Sequence, residues 1–170
     1  MDLSWANDVY KTWLLIQGDY SRMDSVMIEI RPYMQTDVDR VIELWAVVFP
    51  NAPAHNDPLT DLQSKLGVQP ELFFLAESDG RIVGTAMSGF DGHRGWVYYV
   101  AVHPEFRRRG IGTRLMKRVE SSLTDTGCPK LNLQIRADNA AVQAFYESLG
   151  YLVEDRISMG KRLSEVDGSE

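Results

Sequence analysis

The sequence predicts an α+β domain built on a mostly antiparallel sheet. Short runs of strand length are joined by hairpin turn signals, first at Ser78-Asp79-Gly80 and then at Asp91-Gly92-His93-Arg94-Gly95. Runs with helical periodicity are mixed among these strands, with glycines placed where each should stop. The chain carries no internal repeat and no low-complexity tract.

In chain order, Met27-Ile28-Glu29-Ile30-Arg31 reads as a strand closed by Pro32. Thr36 can cap a helix from Asp37 to Phe49 that sets Val38, Val41, Ile42, Trp45 and Val48 on one face. A loop over 50–58 leads to a short helix from about Leu59 to Leu66. Strands follow over 72–76, 81–90 and 96–102, with Tyr98 and Tyr99 expected on opposite faces of the last. A helix from about Gly110 to Thr126 stops at Gly127. Then come a strand from Lys130 to Arg136, a helix from Asn139 to Leu149 ended by Gly150, and two short strands over Tyr151 to Leu163. Residues 1–26 stand apart as an extension. Trp5, Val9 and Trp13 are spaced by four within a helix from Leu3 to Gln17, before the breaker Gly18-Asp19-Tyr20-Ser21. That extension reads as a docking helix or, alternatively, as the arm of a homodimer. The domain proper is expected over 27–163, with a flexible tail at 164–170.

A chain of 170 residues, 44% hydrophobic and 25% charged, can bury a core without a metal or disulfide staple. The single cysteine, Cys128, cannot make an internal disulfide and suits a reducing compartment. It precedes Pro129 at a helix–strand turn, where a structural role is expected. No run approaches a membrane span, and Asp2 and Asp8 do not suit a signal peptide, so the expected location is cytoplasmic with no membrane partner. A net charge of -6 argues against nucleic acid as a partner. Against that acidic background, Arg107-Arg108-Arg109 concentrates positive charge for a local anion.

The strand ending Val100-Ala101-Val102 runs through His103-Pro104-Glu105-Phe106 into Arg107-Arg108-Arg109-Gly110-Ile111-Gly112-Thr113, which opens a helix. The first N–H groups of a helix lack internal partners and carry the positive end of its dipole, so an anion fits there. Gly110 and Gly112 would let a phosphate approach the backbone, and the arginines add forked donors. A Walker loop would need Gly-Lys-Ser/Thr, which is absent. A dinucleotide loop would need a third glycine where Leu115 stands.

Arg107-x-x-Gly110-x-Gly112 resembles the Gln/Arg-x-x-Gly-x-Gly/Ala signature of the GCN5-related N-acetyltransferase (GNAT) superfamily. Asn139-Ala140-Ala141, Phe145-Tyr146 and Leu149-Gly150-Tyr151 resemble its second block, and the resemblance covers about Met27 to Leu163. The segments Asn56-Asp57-Pro58 and 89–95 look closest to bacterial YpeA-like members. The resemblance implies a sheet splayed between its fourth and fifth strands, flanked by about four helices. It implies acetyl-CoA as cosubstrate, with no metal. The pantetheine arm would bond the backbone at Val100 to Val102, and an N–H near Val100 would take the acetyl carbonyl. Backbone N–H groups from Arg108 to Thr113, with Arg107, Arg108, Arg109, Gly110, Ile111 and Gly112, would hold the pyrophosphate. Asn139 would cap its helix beside the cofactor, and Tyr146 would lie near the sulfur.

Direct acetyl transfer needs a neutral amine, a donor for the oxyanion and a proton for the thiolate. Tyr146 can supply that proton. Where related ribosomal-protein acetyltransferases place a glutamate base, Gln134 stands, and it cannot take a proton. An ordered-water relay comes first as the base and His93 second, with Asp57, Asp91 and His103 also open. His55, Asn56, Asp57 and Asp61 either hold a cationic amine or cap their helix. The leading expectation is an N-acetyltransferase acting on a primary amine of a small molecule or peptide. The alternatives are a coenzyme A-binding regulatory module and a protein N-terminal acetyltransferase.

Overall fold

The computed structural model describes residues 27–50 and 57–161. Five strands form one sheet in chain order: β1 (Glu29–Pro32), β2 (Phe73–Ser78), β3 (Arg81–Phe90), β4 (Gly95–Val102) and β5 (Leu131–Asn132). The first four are antiparallel and β5 runs parallel to β4. Four α-helices accompany them among the described residues: α1 (Val38–Val48), α2 (Pro58–Leu66), α3 (Ile111–Asp125) and α4 (Ala140–Ser148). None is long and apolar enough to cross a membrane.

Strand alternation sorts the core into two layers. On one face Phe74, Ala76, Val83, Ala86 and Val97 meet Ile111, Leu115, Met116, Val119 and Leu123 of α3. On the other, Phe73, Leu75, Ile82, Met87 and Ala101 lie under Val41, Leu44 and Trp45 of α1 and Leu62 of α2. The sheet is therefore buried on both sides, and Asp79 (φ 49°) and Gly80 (φ 77°) make the expected tight turn between β2 and β3.

Thr36 does not cap α1. It lies within a 3-10 turn, Gln35–Asp37, and the anchor is the next residue. The Asp37 carboxylate is fully buried and accepts from Arg31 Nη1 at 2.7 Å, Arg31 Nη2 at 2.8 Å, the Met34 N–H at 2.8 Å and Arg40. Burial alone would raise its pKa, but the Arg31 and Met34 bonds and the nearby guanidiniums hold it below the ordinary value. Arg31 also reaches Glu77 on β2, at 2.7 Å from Nε, so the network joins the start of α1 to the sheet edge.

The C-terminal third departs most from expectation. The strand expected over 130–136 is only Leu131–Asn132, and no strand forms over 151–161. Pairing of β4 with β5 stops at Trp96 and Asn132, so residues 133–136 lose their neighbour and the returning chain has no ladder to extend. Side chains tie it down instead, through Lys130–Glu154 and through Gln134 Nε2 to Ser158 Oγ at 2.6 Å. Residues 162–163, the extension at 1–26 with its expected docking helix and the tail at 164–170 lie outside the described residues.

Candidate active site

The splay exposes one edge of β4, and a β-bulge decides which residues face it. Thr85 pairs with Ala101 and Met87 with Tyr98, so Tyr99 and Val100 together oppose Ala86. Before the bulge, the Gly95 N–H bonds the Lys130 carbonyl on the β5 side at 2.8 Å. After it, the His103 N–H bonds Val83 of β3 at 2.8 Å. Backbone groups alternate edges along a strand. The extra residue reverses that parity, so Val100 and Val102 turn their backbone groups to the edge β5 has left. Ala101 does not join them. Its backbone faces β3, and its side chain is buried under α1.

Tyr99 carries the bulge at φ 47°, a conformation that costs a bulky residue about 1–3 kcal/mol. Its carbonyl accepts from Thr85 Oγ1 at 2.7 Å, and that hydroxyl accepts from Trp45 Nε1 at 3.0 Å. The Trp45 ring stacks on Tyr99 with centroids 4.1 Å apart. At the other end, the Tyr99 phenol donates to the Asp61 carboxylate from α2. Burial, then that bond and the Asp61 charge, push the phenol's pKa well up. Tyr98 lies on this same side, because its partner Met87 belongs to the layer under α1. The two tyrosines therefore share a face, against the expectation of opposite faces, and the bulge is the reason.

Beyond β4 a 3-10 turn, Pro104–Phe106, leads to the arginine–glycine loop. Arg108 (φ 63°) and Gly110 (φ 73°) are both left-handed. Alternation of this kind gathers backbone N–H groups into a concavity suited to an anion. A Cβ at Gly110 would meet nothing within 4 Å, so this glycine serves the backbone angle. Gly112 serves packing instead. A Cβ there would stand 3.0 Å from the Phe145 ring, so its bareness lets α4 close on α3 and is not explained by phosphate approach alone. No acidic residue lies in the first turn of α3 to compete for the N–H groups of Ile111, Gly112 and Thr113. Arg107, Arg108 and Arg109 are exposed. Arg107 Nε bonds the Val102 carbonyl at 3.2 Å, and Arg109 lies 5.2 Å over Phe106. This loop fits a pyrophosphate by shape and by charge.

Tyr146 on α4 is buried, between Phe145 and Tyr151 with ring centroids at 5.0 and 5.5 Å. Burial pushes its phenol up to about 12, so the proton stays on through the neutral range. Asn139 caps α4, its Oδ1 accepting from the Val142 N–H at 3.2 Å. Cys128 Sγ bonds the Lys130 carbonyl at 3.3 Å, which suits the structural role expected of it.

The structure does not bring His93 to the bulge. It lies exposed at the β3–β4 tip, where Asp91 Oδ1 accepts from the N–H groups of His93 and Arg94, each at 2.7 Å. Val100 is about 17 Å further along than Gly95 at about 3.3 Å per residue. Asp57 caps α2 through the Thr60 N–H at 2.8 Å. His103 is buried in the turn, with Nε2 2.7 Å from Arg81. Asp61 is thus the carboxylate among these that touches the bulge, through the Tyr99 phenol. Its sequence signal was weak, one helical turn after a capping aspartate, and Thr85 gave none.

A model of the Acetyltransferase (GNAT) family matches residues 38–151. An acetyltransferase of Yersinia enterocolitica is 49% identical over 136 residues, 80% of this chain and 96% of that one. Among solved structures, the aminoglycoside acetyltransferase AAC(6')-Iy, in complex with a bisubstrate analog, superposes with a TM-score of 0.68 at 21% identity over 81% of this chain and 99% of that one. The PaiA N-acetyltransferase of Thermoplasma acidophilum, in complex with coenzyme A, gives a TM-score of 0.67 at 20% identity over 76% and 92% of the two chains. On the extent of the family match and the closeness of the Yersinia relative, this chain belongs to the GNAT acetyltransferase family.

Proposed function

We propose that this enzyme transfers the acetyl group of acetyl-CoA directly to a primary amine of a small molecule or peptide. The observation that carries the proposal is the bulge, which turns the Val100 backbone into the splay on the same strand that ends in the arginine–glycine loop. Acetyl-CoA supplies an acetyl group activated as a thioester. The N–H groups from Arg108 to Thr113 hold its pyrophosphate, and Val100 and Val102 bond its arm. The Val100 N–H stabilises the charge that gathers on the carbonyl oxygen as the amine attacks, since a preorganised donor acts where charge develops. The Tyr146 hydroxyl keeps its proton for the departing sulfur. Ordered water takes the amine proton. His93 holds second place for that role only as a rim residue, given its position at the hairpin tip.

Asp61 and the paired tyrosines line the acceptor side, which favours a cationic amine. The bisubstrate analog bound by the aminoglycoside neighbour supports a small-molecule acceptor. A cytoplasmic setting, a domain over 27–163 and a docking-helix role for residues 1–26, with a dimer arm as the alternative, remain parts of this proposal. Calorimetry with coenzyme A tests it first. The expected result is one equivalent bound, with Gly110 and Arg108 substitutions weakening it. No binding at millimolar coenzyme A would overturn both the enzyme reading and the regulatory-module alternative.

A further inference from the structure

We infer that Thr85 is a positioning residue, whose hydroxyl holds the β4 bulge in the parity that turns Val100 toward the acetyl group. The inference rests on the acetyl-transfer reading above. Thr85 is fully buried on β3, opposite Ala101, the residue that follows the bulge. Its side chain makes two bonds in series, accepting from Trp45 Nε1 at 3.0 Å and donating to the Tyr99 carbonyl at 2.7 Å. A hydroxyl suits this position because it accepts and donates at once. The indole N–H can only donate, so the single hydroxyl proton is left for Tyr99.

That carbonyl belongs to the one residue of β4 with a positive φ. In a regular ladder that kept the parity of Gly95 it would face the β5 edge. Here the register skips, the carbonyl faces β3, and the Thr85 side chain donates to it. With the hydroxyl removed, the part-buried Tyr99 carbonyl loses that donor where it stands. The cheapest repair is for the strand to slip back toward a regular ladder. Slippage by one residue would restore the parity of Gly95, aim Tyr99 and Ala101 at the splay, and turn Val100 toward β3. The arginine–glycine loop lies beyond Val102, and its own left-handed residues fix its shape. Thr85 therefore acts on the reacting end of the site and leaves the phosphate end alone.

The full chain with Thr85→Val, which keeps shape and loses the hydroxyl, tests this against Thr85→Ser, which keeps the hydroxyl. Steady-state rates, coenzyme A affinity and hydrogen exchange over residues 95–102 are measured on all three proteins. Thr85→Val is expected to lose about 10–100-fold in kcat, as reacting groups shift by a fraction of an ångström to one ångström. Coenzyme A affinity should fall by less, about 2–10-fold, because the arm loses one hydrogen bond at Val100 while the arginine–glycine loop keeps its shape. Exchange at 95–102 should quicken, and Thr85→Ser should restore both rate and protection. Full kcat in Thr85→Val, or a loss in Thr85→Ser as large as in Thr85→Val, would overturn the inference. If the wild type binds coenzyme A yet transfers no acetyl group, the acetyl-transfer reading fails. Exchange then decides the role of Thr85 alone, and unchanged protection in Thr85→Val refutes it.

Discussion

A tyrosine in left-handed backbone is strained, and at Tyr99 the strain is met by Thr85 on its carbonyl, Trp45 on its ring and Asp61 on its hydroxyl. If Asp61 also receives the amine, Asp61→Asn should raise KM for a cationic acceptor about tenfold, the equivalent of 1.4 kcal/mol. The KM for acetyl-CoA should not move, because an asparagine oxygen can still accept from Tyr99. An unchanged amine KM would leave Asp61 with orientation of Tyr99 as its only task. Tyr146 has a different test. Tyr146→Phe keeps the ring between Phe145 and Tyr151, so kcat should fall roughly 10²–10⁴-fold where chemistry limits turnover. The same pair carries a pH signature. With the folded phenol at about 12 and a free tyrosine near 10, both states are protonated below pH 10. As pH rises from about 10 to 12 the unfolded chain loses its proton first, and about 3 kcal/mol of stability drains away. Denaturant titrations across that window should show a smaller loss in Tyr146→Phe than in the wild type. Tyr146 and Asn139 were legible because they stand in a spaced motif, and Asp61 was legible only as one of several acceptor-side candidates. Thr85 was not, because strand alternation read from sequence assumes the regular ladder that the bulge breaks.

At the scale of elements, the glycine-bearing loop and α3 were legible in outline, from strand through turn to helix. The division of labour between its glycines was not, since Phe145 is brought to Gly112 only by tertiary packing. This changes which substitution tests the phosphate site. A side chain at Gly112 would press on α4 and disturb Tyr146 as well. Gly110→Ala is cleaner, for it meets open space and strains only the backbone. It should destabilise the fold by about 1–2 kcal/mol and weaken coenzyme A binding, with a smaller effect on kcat. A Gly110→Ala protein with wild-type affinity would move the pyrophosphate elsewhere. The helices at 38–48, 58–66 and 140–148 follow their sequence patterns to within a residue or two. The strand expected at 130–136 does not, because its length depends on a neighbour that leaves at Asn132.

Across the whole molecule, the bulge and the arginine–glycine loop lie at the C-terminal end of β4, and the proposed binding track runs between them. A ligand seated along it should favour the folded state by linkage. At a hundredfold excess over Kd, coenzyme A should stabilise by about 2.7 kcal/mol, a rise in Tm of roughly 5–10 °C for a chain of this size. The rise should shrink in Gly110→Ala. Such a shift proves a site but not a reaction. The most direct measurement is thiol release from acetyl-CoA, followed with and without a panel of small amines and short peptides, alongside the acetylated product. The account predicts release that depends on an amine, saturates with it, yields one acetylated amine per thiol and collapses in Tyr146→Phe. Coenzyme A binding with no amine-dependent release from any member of the panel would contradict it.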